Sequence, residues 1–305
     1  MKDLDLKTLR LLVAVCDHGS LKEAAAHEHI EPSAISKRIS QLEVLLGQTV
    51  LVRGRTGIEL TTAGHTLIEH ARAMLFTVDR IESDMAAFKG GVQGQVRLAA
   101  SSSALAESLL DDLTQFMKDP AHQDIKVSIE ESLSRDIVNM VRDGRVALGV
   151  LWGQVDLGGL ACKAYRHDEL VLAVHPDHPL ARKKAVAFEA TLDFEYVGLP
   201  PATAVNTMLH KAAAKVGRAI NYRAIVSNFD GAFRVVGANL GVSVVPREVA
   251  ALHAATGHIK MVRLLNDWTS RQFVVCFRRE DDLTSAARKL LGFLALKGGE
   301  SGSQA

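Results

Sequence analysis

The sequence predicts an α/β protein that begins with a separate, almost entirely helical region. Its 305 residues are enough for two domains with a core each. Helical periodicity dominates residues 1–89, apart from one short hairpin-like stretch, and apolar runs alternate with helical segments after the stretch KGGVQGQ. This alternation is typical of a mostly parallel sheet flanked by helices, and the three glycines of the stretch indicate a linker.

Residues 19–47, GSLKEAAAHEHIEPSAISKRISQLEVLLG, predict two helices separated by a short turn. The second helix is expected to begin at Pro32 or Ser33, because proline is tolerated in a first turn and serine caps well. Its apolar stripe has the four-three-four spacing of an amphipathic helix and consists of Ile35, Ile39, Leu42 and Leu46. Its opposite face carries short hydroxyl groups and one long cation, namely Ser33, Ser36, Lys37 and Ser40.

A polar face of this kind suits a helix that docks into DNA. Helix-turn-helix proteins place their second helix in the major groove, where exposed amides and serine hydroxyls bond phosphate oxygens. Lys37 could reach a guanine edge or a phosphate. An ordinary surface helix would show the same spacing, so the pattern alone leaves both interpretations open.

The next segment, TVLVRGRTGIELTTAG at 49–64, predicts a strand, a cationic turn and a second strand. This is the outline of a wing beside a recognition helix, with Arg53 and Arg55 at its tip. Residues 37–55 contain four cations, Lys37, Arg38, Arg53 and Arg55, against the single acid Glu43. The local positive charge favours a nucleic-acid partner, although a solvated charged turn is the alternative.

After the wing, an apolar seam steps by four and three residues in strict alternation. Its members are Leu67, Ala71, Met74, Val78, Ile81, Met85 and Phe88. So narrow a heptad seam predicts a helix that pairs with a second copy of itself. A helix packed on its own domain would also show an apolar stripe.

The second half predicts eight strands and five helices. The strands are expected at 96–100, 126–130, 147–152, 170–175, 196–198, 222–226, 241–245 and 271–277. The helices are expected near 104–117, 134–143, 203–216, 229–239 and 283–296.

Taken together, these motifs resemble the LysR-type transcriptional regulators over the whole chain. The family's "PAVSRQI..LE..LG" is matched by PSAISKRI at 32–39, Leu42-Glu43 and Leu46-Gly47. Its "GS…AA" is matched at 19–20 and 24–25, and its "LF.R…LT.AG" by VLVR at 50–53, Leu60-Thr61 and Ala63-Gly64. The second half matches more loosely, through HPLA at 178–181 and NLGVSVVP at 239–246.

The resemblance implies a domain organisation and a set of partners. It implies a winged helix-turn-helix domain at 1–62, a dimerisation helix at 63–90 and an effector-binding domain at 91–305. The last would be of the two-subdomain periplasmic-binding-protein type, with one subdomain at 93–162 and 268–300 and the other at 163–267. Implied partners are operator DNA, a small-molecule effector, RNA polymerase and other copies of the chain in a dimer of dimers.

Carried over residue by residue, the resemblance and the pattern name two sets of site residues. Residues expected at the DNA are Ser20, Pro32, Ser33, Ser36, Lys37, Arg38, Ser40, Arg53 and Arg55. Residues expected at the effector are Ser101, Ser102, Ser103, Ser132, Ser134, Trp152, Pro201, Thr203, Phe229 and Val245. Hydroxyls and free amides where a strand runs into a helix form an anion site, so a small organic acid is expected, although serine as a simple helix cap is the alternative.

The chain departs from the family pattern at three places, one of them a pair of residues. Glu31 stands where the family usually has Gln, and its carboxylate is repelled by phosphate but could accept from a cytosine amino group. Leu51 replaces the usual Phe, and Val146-Ala147 replaces a common Leu-Asp.

Several other classes of protein are disfavoured. The chain has no G-x-S-x-G motif, no Walker loop and no spaced Cys/His set, so no catalytic residue, cofactor or metal is expected. The three cysteines are far apart and suit small core residues rather than disulfides. The start MKDLDLKTLR lacks the apolar region of a signal peptide and no apolar run is long enough for a membrane span, so a cytoplasmic location is expected. An enzyme or a small-molecule-binding module without DNA function is the alternative.

Overall fold

The computed structural model describes residues 4–53, 58–87 and 94–301. It divides into two compact units, one formed mainly by residues 1–90 and the other by most of the remainder. The first unit contains α1 Leu6–His18, α2 Leu21–Glu28, α3 Pro32–Leu46, β1 Leu51–Arg53, β2 Ile58–Leu60 and α4 Thr62–Ala87.

The predicted helix-turn-helix is present as α2 and α3. Their turn is closed by His29, which adopts a left-handed conformation with φ of 54°. The predicted apolar stripe faces inward, with Ile35, Ile39 and Leu42 buried against α1 residues such as Leu9 and Leu12. This packing leaves the serine-and-lysine face of α3 on the outside.

The predicted wing is also present as an antiparallel hairpin, in which Leu51 pairs with Leu60 and Arg53 with Ile58. The backbone of α4 begins in close contact with it, since a Cβ atom on Gly64 would lie 2.1 Å from the Val50 carbonyl oxygen. Only glycine fits there. The tip residue Arg55 lies outside the described residues.

The apolar seam of α4 divides into two parts. Its first part belongs to the core of the unit, where Ala71 is buried and Leu67 and Met74 are partly buried. Its second part is open, since Ile81 and Met85 are each 56% exposed. The prediction that the whole seam pairs with another copy is therefore wrong for Ala71, which is buried within its own subunit, and stays a prediction for the partly buried Leu67 and Met74. Phe88 lies outside the described residues.

The second unit alternates strands and helices. Its elements are β3 Gly94–Ala100, α5 Ser102–Ala104, α6 Leu110–Lys118, β4 Ile125–Glu131, α7 Ser134–Arg142, β5 Leu148–Trp152, β6 Ala161–Val174, β7 Ala185–Val186, α8 Phe188–Thr191, β8 Tyr196–Gly198, α9 Ala204–Lys215, β9 Tyr222–Ile225, α10 Phe229–Gly237, β10 Ser243–Pro246, α11 Arg247–Ala254, β11 Lys260–Leu264, β12 Ser270–Phe277 and α12 Ser285–Ser301. A π-helical turn at Leu105–Leu109 joins α5 to α6.

Strand β6 belongs to two sheets and so defines two subdomains. Up to Glu169 it pairs with β12, in a sheet of order β4-β3-β5-β12-β6. From Leu170 onward it lies between β10 and β11, and β11 pairs with β7. Strands β8 and β9 pair with each other, and a bridge from Tyr196 to Val242 places β8 beside β10. The change of sheet lies later along the chain than the expected subdomain boundary at 162–163.

The expectation of a mostly parallel sheet is wrong. Strands β3, β4 and β5 are parallel to one another, as are β8 and β9, but β6 and β12 run antiparallel to their neighbours. The reason is that the chain crosses between the subdomains twice, and each crossing strand must run back through the sheets.

The expectation that the cysteines are small core residues holds only in part, because Cys276 is buried but Cys162 is exposed.

A buried ion pair lies where the two crossing strands meet. Arg271 on β12 and Asp168 on β6 are register partners and form a salt bridge, with both side chains almost completely inaccessible to solvent. Burial lowers the pKa of Arg271 to about 10, so the guanidinium remains charged at neutral pH. Nearby, Glu107 lies in the π-helical turn, and burial together with the charge of Glu248 raises its pKa to about 8.

We predict that Asp168→Asn destabilises the second unit by about 3–5 kcal/mol, because it leaves the Arg271 charge buried without a counter-charge. Its neighbour provides the matched control. Glu169 pairs with Arg247 at 2.8 Å on the surface, so Glu169→Gln should cost less than about 1 kcal/mol. Chemical denaturation of the two variants measures both values, and equal losses would contradict a special role for the buried pair.

Candidate nucleic-acid interface and ligand cleft

The outer face of α3 is free of bulky apolar side chains along its first two turns. Ser33, Ser36, Lys37 and Ser40 are all exposed. Within the described part of the chain, Lys37 forms no ion pair, so its charge is available to an anion. The helix itself begins at Pro32, which is exposed in the first turn, and its N-cap is Glu31 rather than Ser33.

Arg38 faces a different direction from Lys37. Its Nη1 atom donates to Asp5 Oδ2 at 3.0 Å and to Thr8 Oγ1 at 3.3 Å, which ties α3 to the start of α1. Asp5 is the N-cap of α1 and also accepts from the Thr8 amide. Arg38 therefore has a structural role that the sequence did not reveal, because its partner lies 33 positions away in the chain.

Glu43, the acid counted against the cations of this region, is also engaged. Its Oε1 atom accepts from the amides of Val50 and Leu51 at 2.8 Å and 3.2 Å. The carboxylate thus holds the entrance of the wing against α3. Arg53 ends β1, and Ser20 is the N-cap of α2 without a side-chain capping bond.

In the second unit, four junctions between a strand and a helix surround one cleft. They are the turns from β3 to α5, from β4 to α7, from β8 to α9 and from β9 to α10. The lining residues are Ser101, Ser102, Ser103, Ser132, Leu133, Ser134, Leu199, Thr203, Ala204, Ser227, Asn228 and Phe229. Two junctions belong to each subdomain, and each pair follows parallel strands, whose carboxyl ends meet at one edge of a sheet.

The cleft contains about 460 Å³ of empty space when the open solvent at its mouth is included. None of the described residues that line it is charged. The starts of α7, α9 and α10 and of the helical run that opens with α5 line it, and the unpaired amides of a helix start carry partial positive charge. Such a cleft can hold an anion by backbone dipoles and hydroxyl donors alone.

The polar side chains of the cleft differ in whether they already form hydrogen bonds within the protein. Thr203 caps α9: its Oγ1 donates to the Pro200 carbonyl at 2.8 Å and accepts from the Asn206 amide at 3.4 Å. Asn228 caps α10 by accepting from the Gly231 amide at 2.9 Å. Ser101, the N-cap of α5, makes no side-chain capping bond. The serine side therefore retains more free hydrogen-bonding capacity.

Three residues expected at the effector do not line the cleft. Val245 is completely buried in the core of the second subdomain, between neighbours such as Val171 and Phe233. Trp152 ends β5 and packs against the other apolar cluster of that subdomain, and Pro201 is exposed in the turn before α9. Conversely, Leu199, Ser227, Leu133 and Ala204 were missed, although a strand followed by Ser-Asn at 227–228 repeats the signal of the serine turn.

Comparison with known protein families is decisive. The family model described as "LysR substrate binding domain" matches residues 89–297. A second model, described as "Bacterial regulatory helix-turn-helix protein, lysR family", matches residues 6–65. The chain belongs to the LysR family of transcriptional regulators. It is accordingly a DNA-binding transcriptional regulator with an effector-binding domain, as its motifs predicted.

Known LysR-type proteins resemble this regulator over nearly its whole length. The RuBisCO operon transcriptional regulator of Allochromatium vinosum is 23% identical over 286 residues, which cover 93% of each chain. A cysteine variant of full-length OxyR from Pseudomonas aeruginosa has a TM-score of 0.77 at 18% identity and covers 98% of this chain and 95% of its own. Full-length CbnR complexed with its target DNA has a TM-score of 0.66 at 22% identity and covers 98% and 100%.

Metal clusters and membrane-spanning helices are both absent from the described residues. These residues contain no group of three or more His, Cys, Asp and Glu side chains placed to hold a metal ion. None of the described helices of this LysR-type protein is long and apolar enough to cross a membrane.

We predict that removing the hydroxyl group of Thr203 and that of Ser102 will change the free energy of unfolding of this regulator by different amounts. Thr203→Ala removes a helix cap and should lower the free energy of unfolding by about 0.5–2 kcal/mol. Ser102→Ala removes a hydroxyl without a capping role and should change it by less than about 0.5 kcal/mol. Thermal and chemical denaturation measure both, and an equal loss at Ser102 would mean that its hydroxyl is structural.

Proposed function

We propose that this regulator contacts operator DNA through the outer face of α3 and the wing, and that a small organic acid in the cleft modulates operator affinity or the bend imposed on the DNA. The observation that supports the cleft as the effector site is that four helix starts converge on it and that none of its described lining residues is charged. The proposed division is a DNA-binding domain at 1–62, a dimerisation helix at 63–90 and an effector-binding domain at 91–305. The proposed location is the cytoplasm, with RNA polymerase as a further partner and no membrane association.

The proposed DNA contacts divide by chemistry. Lys37, Arg53 and Arg55 would neutralise phosphates or reach base edges, and the serines of α3 would donate hydrogen bonds. Ser20 and Pro32 would place backbone close to the duplex. Arg38 is the weakest member of the set, because its charge is partly neutralised by Asp5.

For DNA binding, we predict that Lys37→Ala weakens affinity for duplex DNA of any sequence and reduces the slope of log affinity against log salt by about one unit. Lys211→Ala, at an exposed lysine on α9, gives the same change in net charge and should leave the slope unchanged. Fluorescence anisotropy over a salt series measures both. A wild-type protein that binds no duplex at low salt would contradict the proposed function.

The open part of the α4 seam supports self-association. Val78, Ile81 and Met85 continue the heptad spacing beyond the part that packs in the unit's own core, and two of them are more than half exposed. Pairing with another copy would bury this surface, and a dimer of dimers remains part of the proposal.

Accordingly, Ile81→Glu should yield smaller species in sedimentation, because pairing would bury two like charges. Ala73→Glu is the matched control, since Ala73 is exposed on α4 away from the seam. The control should keep the wild-type mass. An unchanged mass for Ile81→Glu would show that this part of α4 does not mediate assembly.

The chemistry of the cleft supports an anionic effector of modest size. A carboxylate would accept hydrogen bonds from serine hydroxyls and helix-start amides, while Leu133, Leu199 and Phe229 would contact an apolar body. We also propose that the chain is not an enzyme. Among the described residues, its serine-rich lining includes no His, Asp, Glu or Lys to activate a nucleophile.

A panel of small carboxylic acids and their uncharged amides tests this proposal. Carboxylates should raise the melting temperature of the wild type, since a ligand that binds the native state stabilises it, and the amides should not. Ser102→Ala should weaken the carboxylate effect by about tenfold in affinity, which corresponds to one lost hydrogen bond of about 1–3 kcal/mol. Stabilisation by amines, or by amides alone, would contradict an anion site.

A further inference from the structure

The carboxylates of Glu31, at the start of α3, and Glu43, near its end, differ in whether they form hydrogen bonds. Glu43 is engaged by the amides of Val50 and Leu51. Glu31, the N-cap residue, is exposed, and its side chain makes no capping bond. No residue in the described ranges forms an ion pair with it. Glu31 is thus a free anion at the leading end of the helix proposed to enter DNA.

Glutamate is an uncommon residue at the N-cap of a helix. Serine, threonine, aspartate and asparagine are the preferred N-caps because their short side chains reach the first-turn amides. Glu31 caps α3 through its backbone alone. Its carbonyl oxygen accepts hydrogen bonds from the amides of Ala34 and Ile35 at 2.9 Å and 3.3 Å. A negative charge near a helix start is stabilising in itself, but no capping bond holds the Glu31 side chain in place, so it is free to meet a partner outside the helix.

An exposed carboxylate beside DNA phosphates is repelled by them, and a hydrogen bond accepted from a base can offset this repulsion. The major groove offers two amino donors, cytosine N4 and adenine N6. Adenine places its N7 acceptor beside N6, which would repel a carboxylate, whereas cytosine presents its donor without such a neighbour on the same base. Cytosine is therefore the base that best compensates the Glu31 charge.

We propose that Glu31 is a specificity-determining residue that selects cytosine at one position of each operator half-site. The inference rests on the proposed docking of α3 in the major groove. Glu31 lowers affinity for unrelated DNA by phosphate repulsion and recovers the loss only where the cytosine amino group is present. Lys37 lies about one and two-thirds turns further along the helix and supplies attraction to phosphates without this selectivity.

Selection from a pool of random-sequence duplexes tests the proposal with the full-length protein. The wild type should enrich one position for cytosine by about tenfold over the other bases, as expected for a single base-edge contact. Glu31→Gln should move the preference at that position to adenine, because a carboxamide bonds N6 and N7 together. Lys37→Ala is the control and should lower the affinity for all duplexes while keeping the cytosine preference.

A second substitution distinguishes an effect on base preference from an effect on protein stability. Glu31→Ser supplies a better helix cap, so its melting temperature should equal or exceed that of the wild type, yet the cytosine preference should disappear. The proposal is overturned if wild type and Glu31→Gln select the same base at every position. If the wild type binds no duplex at all, the proposed docking of α3 fails together with this inference. DNA binding with an unmoved preference defeats the inference alone.

Discussion

The ion pair between Arg271 and Asp168 sits where the two crossing strands pass from one subdomain to the other, and the geometry of the second unit depends on that crossing. Strands β6 and β12 are register partners there, and beyond it β6 enters a different sheet. Two unpaired charges at this depth would be prohibitively costly, so the pair requires both strands to be in place at once. Its position relates the two subdomains to each other and thereby sets the walls of the cleft between them.

Around this crossing, contacts between the subdomains combine apolar packing with charge. Ala106 in the π-helical turn packs against the core of the second subdomain, and the neighbouring Ser108 hydroxyl donates to Glu248 on α11 at 2.5 Å. Glu107 lies between them with a raised pKa. The same helical run begins at the serine turn of the cleft. A ligand that draws the serine turn toward the opposite wall would therefore move a segment that already contacts the second subdomain.

The elements that could be predicted from the sequence are those that depend on a local pattern. The helix-turn-helix, the wing and the serine turn are contiguous in the chain, and their periodicity or composition is preserved in the fold. Prediction from the sequence failed where partners are distant. Three features depend on tertiary neighbours: the pairing of Arg38 with Asp5, the inward packing of Trp152 and Val245, and the first half of β6. The residues 161–169 are mostly polar because that part of β6 is a sheet edge, so no apolar run marked it as a strand. The missed β11 and α11 are short and only partly buried.

The occupant of the cleft is proposed to control DNA binding, and thermodynamic reciprocity offers the most direct test. A carboxylate that stabilises the protein is titrated with and without duplex DNA, and the DNA is titrated with and without that carboxylate. We predict that each ligand changes the affinity of the other by the same factor, between about 5 and 150 for typical coupling energies. A carboxylate that binds in the cleft while both affinities stay unchanged would contradict this control.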